Sequence, residues 1–161
     1  MKIICKDRNN KEYKVDSQDV SFRPSVYGIV IKDNKILLSK QWDGYDFPGG
    51  GVEIQETVDQ ALIREFHEET GFDIKVGKII SCHSSFFKFL DINKYSNTIL
   101  IYYLCKITGG QISKEFLDEH EQQYADLPEW IDIDQIDKIK FYNSVDSVAI
   151  IKEAMALKNK L

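Results

Sequence analysis

At 161 residues and 18.7 kDa, the chain has the length of one folded domain with a proper core, and 43% hydrophobic residues are enough to build it. A formal net charge of −5 argues against a broad basic surface for nucleic acid, and no apolar run reaches the roughly 18 to 20 residues that cross a bilayer. Three cysteines without a CxxC pair argue against a disulfide framework or a cysteine zinc site, and the opening MKIICKDRNN has no apolar stretch of signal-peptide length, so a cytoplasmic protein is expected.

Lys2 to Cys5 and Glu12 to Val15 flank a polar DRNNK and predict a small hairpin or a loose extension within residues 1–20. Ser25 to Ile31 and Lys35 to Ser39 read as two strands joined by a tight turn at Lys32-Asp33-Asn34. Extended structure around Tyr45 to Phe47 leads into Pro48-Gly49-Gly50-Gly51. A helix then opens at Glu56-Thr57 and runs to about Thr70, with Gly71 as its left-handed stop. Strands follow at Phe72 to Phe89 and Thr98 to Ile107, with a hairpin through Asp91 to Asn97. An irregular acidic segment from Ser113 to Glu129 precedes Trp130-Ile131. Ser144 to Lys158 closes the chain as an amphipathic helix carrying Val148, Ile151, Ala154 and Met155 on one face. The order strands, helix, strands, helix predicts the α/β class, as an α/β/α sandwich around a mixed sheet.

The helix carries the chemistry. Glu65, Glu68 and Glu69 stand at i, i+3 and i+4 and so share one side, the side that also bears Val58, Ala61 and Leu62. An apolar stripe that becomes acidic one turn later aims its carboxylates inward. Carboxylates held together resist ionisation unless a cation offsets them, and an oxygen-only donor set suits Mg2+ or Mn2+. Such an ion also lets an acidic protein hold a polyphosphate. His67 points away from this group.

From Gly50 the chain reads five residues, Glu56, seven residues, Arg64-Glu65-Phe66-His67-Glu68-Glu69-Thr70-Gly71-Phe72. This resembles the Nudix box, G-x5-E-x7-R-E-U-x-E-E-x-G-U with U bulky and apolar, and each specified position is filled. The resemblance implies a Nudix fold over residues 1–161 and metal-dependent hydrolysis of a nucleoside diphosphate linked to another group. It implies the Gly49 carbonyl, Glu68 and Glu69 as metal ligands, and Glu65 as a ligand or as the base that deprotonates water. Arg64 would orient the glutamates and Glu56 would brace the loop against the helix. Relatives often take a further acid from a late loop, for which Glu119 and Glu121 are the candidates. The implied partner is a small-molecule nucleotide, with no nucleic-acid polymer and no membrane, and a homodimer is left open.

Substrate signals are weaker. A proline about fifteen residues past the box, usual in relatives that cleave ADP-ribose, is missing, since His83 to Phe89 contains none. Asn143 before the last helix resembles the base-reading asparagine of MutT-type enzymes, with a helix cap or turn as the plainer alternative. Arg23 could meet a phosphate, and Phe87 could stack on a base, although aromatics on strands more often build core. A nucleoside triphosphate or an oxidised nucleotide is therefore expected ahead of nucleotide sugars or ADP-ribose, with a noncatalytic nucleotide sensor as the rival from another class.

Overall fold

A computed structural model describes residues 1–160. In chain order its elements are β1 (Lys2–Lys6), β2 (Glu12–Asp16), β3 (Val20–Ile29), β4 (Ile31–Lys32), β5 (Lys35–Gln41), β6 (Gly44–Asp46), β7 (Gly49–Gly51), α1 (Val58–Thr70), β8 (Phe72–Phe89), β9 (Lys94–Gly110), β10 (Glu129–Asp132) and α2 (Ser147–Lys158). Six strands form the main sheet in the order β2-β1-β8-β9-β3-β7, and a second sheet runs β10-β5-β4 with β6 also on β5. The main sheet is mixed: β3 lies parallel to β9, and β1 parallel to β8 at Lys6 and Phe87.

The N-terminal segment is a hairpin. Asp7 holds its turn, accepting from the backbone N–H of Asn9 and Lys11 at 2.8 and 3.0 Å and from the Tyr13 hydroxyl at 3.0 Å. β3 begins five residues before the expected Ser25 and stops at Ile29, because β9 continues to offer it a parallel neighbour back to Val20. Asp33 and Asn34 both take positive φ, 50° and 57°, as a two-residue hairpin turn requires. β9 starts at Lys94, four residues earlier than expected, since Asn93 at φ 48° closes the hairpin with β8.

Two apolar layers sit on opposite faces of the strands. Thr57 caps α1 in a reciprocal box with Gln60, and Gly71 ends it at φ 76°. The stripe Ala61, Leu62 and Phe66 packs on Val26, Val30 and Leu37. Asp146 caps α2, whose Ile150, Ile151 and Ala154 bury against Ile29, Leu38, Phe47 and Tyr102. Alternation along β3 and β5 feeds both layers, which produces the α/β/α sandwich.

Gly28 lies under α1: a Cβ there would stand 2.8 Å from Phe66 Cδ2. Gly28→Ala is expected to destabilise the fold by about 1–3 kcal/mol through overpacking, read as a lowered urea midpoint at unchanged m.

Candidate active site

The glycine loop is the strand β7, paired with β3 through Tyr27–Gly49, Val26–Gly50 and Ser25–Gly51. It passes directly across the C-terminal half of α1. Gly49 sits at φ 150°, and a Cβ on it would overlap the Val26 carbonyl. At Gly50 a Cβ would stand 2.6–2.7 Å from the Glu65 carboxylate, so that carboxylate rests against bare backbone. The Gly49 N–H donates to Glu69 Oε2 at 3.3 Å.

Arg64 ties loop and helix together. Its guanidinium grips Glu56 through Nε at 2.5 Å and Nη2 at 2.8 Å, reaches the Gly51 carbonyl at 3.3 Å, and donates from Nη1 to Glu65 at 2.9 Å and Glu68 at 3.2 Å. That fork holds the Glu56 carboxyl down to about 2. Glu65 and Glu68 therefore have their orientation set by a cation that is itself anchored elsewhere.

Ligand oxygens of Glu65, Glu69 and Glu121 lie within 4.8 Å of one another. Glu121 arrives from the late acidic segment, on a single 3-10 turn, Glu121–Gln123. Asp118 and Glu121 fix that turn reciprocally, each side chain accepting the other's backbone N–H, at 2.7 and 3.1 Å. Gln122 adds a bond to the Leu117 carbonyl at 2.8 Å, and Leu117 is buried. Of the box acids, Glu68 stays at the rim beside Arg64, outside the trio, and Glu119 is exposed. His67 faces away, bonded to Asp73 at 3.1 Å. Residue phase on α1 placed Glu68 and Glu69 equally; the sheet below buries only Glu69.

Glu69 is 9% exposed, and Ser39 Oγ donates to its Oε2 at 2.5 Å. Ser39, on β5, carries no sequence signal for this role. Burial pushes the carboxyls of Glu65 and Glu121 up, and that of Glu69 well up. Three such groups at one point favour protonation or a cation.

A fourth acid, Asp46, is also missed by sequence reasoning. Its Oδ1 accepts from Phe47 N–H at 2.7 Å and Asn143 Nδ2 at 3.3 Å, and burial raises it to about 7. A folded pKa above the unfolded value near 4 means that the folded state holds the proton more tightly. The resulting stability is complete below about pH 4 and is lost as pH rises to about 7. In chelator, Asp46→Asn is therefore expected to match wild type near pH 4 and to exceed it by about 1–2 kcal/mol at pH 8, measured by denaturant titration at both values.

Arg23 on β3 aligns with Thr98 on β9 and Ser85 on β8, two residues along the strand from Phe87, and Asn143 lies in the segment before α2. Arg23 lies over the Phe89 ring at 4.8 Å, donates to Ser25 at 2.8 Å, and covers Gly51 so closely that a Cβ there would stand 2.8 Å from its guanidinium. Phe87 meets Phe89 edge to face at 4.9 Å. Asn143 does not cap α2 but holds the turn before it: its Oδ1 accepts from the Val145 N–H at 3.3 Å and from the Tyr102 hydroxyl at 3.0 Å, and Tyr102 stacks on Tyr27 at 5.3 Å. At the rim Trp42 stacks on Tyr124 at 4.6 Å, and the Arg8 guanidinium covers it at 4.0 Å.

A mixed sheet between two helices, with a carboxylate trio facing a glycine strand, is an α/β architecture whose site is compatible with metal-assisted hydrolysis. Residues 21–150 match the NUDIX domain, and the chain belongs to that family. It is 34% identical to an ADP-ribose pyrophosphatase of Methanocaldococcus jannaschii over 98% of this chain and 86% of that protein. An 8-oxo-dGTP diphosphatase of Buchnera aphidicola is 38% identical over 39% of this chain, which spans about half of that relative, 53%. Among solved structures, a UDP-X diphosphatase superposes with TM-score 0.65 at 21% identity, covering 88% of this chain and 64% of that one, a likeness of fold. The chain is a Nudix pyrophosphohydrolase. Nudix hydrolases in general use divalent metal ions and act on small nucleotides, and the carboxylate trio is compatible with such an ion. Among the described residues no helix is long and apolar enough to cross a membrane.

Proposed function

We propose that this chain hydrolyses a nucleoside diphosphate linked to a sugar, with ADP-ribose as the first compound to test. One observation carries the choice: the relative aligned over 98% of the chain is an ADP-ribose pyrophosphatase, whereas the 8-oxo-dGTP diphosphatase aligns over 39%. The absence of the proline past the box weighs on the other side and is outweighed by that coverage.

The donor set fits a hard divalent cation, because the three converging carboxylates are oxygen donors whose burial otherwise favours their neutral forms. Mg2+ or Mn2+ would be held by Glu65, Glu69 and Glu121, with Glu68 and the Gly49 carbonyl as further donors. When bound, the ion supplies charge neutralisation for the diphosphate and a lowered pKa for water. Arg64 keeps Glu65 and Glu68 turned toward the loop, and Ser39 keeps Glu69 so. Arg23, beside Gly51, offers its guanidinium to a phosphate oxygen. Phe87 and Phe89 offer an apolar floor for a ring.

The nucleoside-triphosphate reading keeps an observation of its own: Asn143 stands beside Asp46, and together they present an amide and a carboxyl of the kind that read a purine edge. Incubation with ADP-ribose, UDP-glucose and 8-oxo-dGTP, each with Mg2+, separates the two readings by products. AMP and ribose 5-phosphate from ADP-ribose support the proposal. Release of pyrophosphate from 8-oxo-dGTP with ADP-ribose left intact overturns it.

A further inference from the structure

At Val30 the chain leaves the main sheet. β3 accompanies β9 as far as the Ile29–Leu104 pair, after which β4 turns into the second sheet while β9 runs on to Gly110 beside β8. The sheets diverge, and the wedge between them is a half-open groove of about 1030 Å³. It shares no residue with the carboxylate site. Val30, Val76, Ile107 and Trp130 give it an apolar floor on the α1 side, and Leu104 adds to the lining from the α2 side. Lys32, Lys35, Lys75, Lys78, Lys106 and Lys158 line it, against one carboxylate, Asp33. In a chain of net charge −5, that concentration runs against the overall balance.

The lysines are also placed against one another. Lys75 stands directly opposite Lys106 across β8 and β9, and Lys32 opposite Lys35 across β4 and β5. Like charges directly opposed weaken a sheet, so the Lys75–Lys106 pair carries a local cost that an anion beside it would lower. Lys35 is relieved by Asp132 at 2.9 Å, and Lys158 donates to the Ile31 carbonyl at 2.7 Å. Among the described residues Lys32, Lys75, Lys78 and Lys106 form no ion pair.

We propose that this groove binds an anionic amphiphile, a monomeric fatty-acyl carboxylate whose chain lies on the apolar floor and whose head meets the rim lysines. Concavity and volume suit a small ligand with a few polar contacts better than a flat protein partner. Lysines placed only to keep strand edges from pairing would account for the charge but would confer no saturable site.

Calorimetric titration of the full chain with dodecanoate, kept below its micelle concentration, tests this. Saturable binding of one equivalent is expected, with dodecanol and inorganic phosphate each at least about tenfold weaker. The Lys75→Glu, Lys106→Glu double variant should lose about tenfold in dodecanoate affinity while keeping its melting temperature and nucleotide hydrolysis. Lys106→Gln, a milder change, should also weaken binding and should raise the melting temperature of the unliganded protein by relieving the opposed pair. No saturable dodecanoate binding, equal binding of dodecanol, or unchanged affinity in both variants overturns the proposal. Binding to phosphatidylglycerol vesicles without binding of monomeric dodecanoate overturns it too. Failure of hydrolysis in these variants would be read separately, on the Mg2+-dependent nucleotide assay.

Discussion

Glu69→Gln is expected to lower metal-dependent turnover about a thousandfold, the largest loss of any single change in this chain. Glutamine keeps the size of the side chain and can still accept from Ser39, so the fold has no reason to fail. What disappears is one charge of the trio, at its buried member. The same substitution removes a carboxylate that burial already disfavours, so in chelator the variant should melt higher than wild type. Added Mn2+ should then raise the melting temperature of wild type and leave the variant unmoved. Glu121→Gln should follow Glu69→Gln, whereas the exposed Glu119→Gln should stay within about twofold of wild type. Full activity in Glu69→Gln would sink the assignment of the trio as the metal site.

Gly50→Ala should separate geometry from stability. The added methyl would meet the Glu65 carboxylate at 2.6–2.7 Å, and a carboxylate is easier to displace than the paired backbone of β7. Displacement of a reacting group by about 1 Å costs on the order of a hundredfold, so kcat should fall by that factor with the melting temperature nearly unchanged. Gly50 does not occupy the left-handed region, and alanine can adopt its backbone. Gly49→Ala should behave in the opposite way, losing stability first, because its φ of 150° and the Val26 carbonyl leave no room for a Cβ. Equal effects of the two substitutions on melting would show that the loop, not Glu65, responds to Gly50.

Much of the fold is local and therefore legible. The helix limits follow from Thr57 and Gly71, residues whose capping chemistry acts within one turn, and the β4–β5 turn follows from Asp33-Asn34. The strand ends of β3 and β9 are not legible, because each is set by how far its neighbour in another part of the chain continues. The site divides in the same way. Arg64, Glu65 and Glu69 are readable from spacing on one helix. Ser39, Asp46 and the choice of Glu121 over Glu119 depend on contacts between segments far apart in sequence.

By itself the sequence determined the family, the class of reaction and the helix that carries most of the acids, since periodicity and box spacing are properties of contiguous residues. Only the tertiary structure decided which acids meet. Sheet burial draws Glu69 inward and leaves Glu68 at the rim, and the reciprocal Asp118–Glu121 turn delivers one late glutamate while its neighbour Glu119 stays in solvent. The lysine-rimmed groove belongs to the structure as well, because it exists where two sheets part, and no stretch of the chain contains both of its walls.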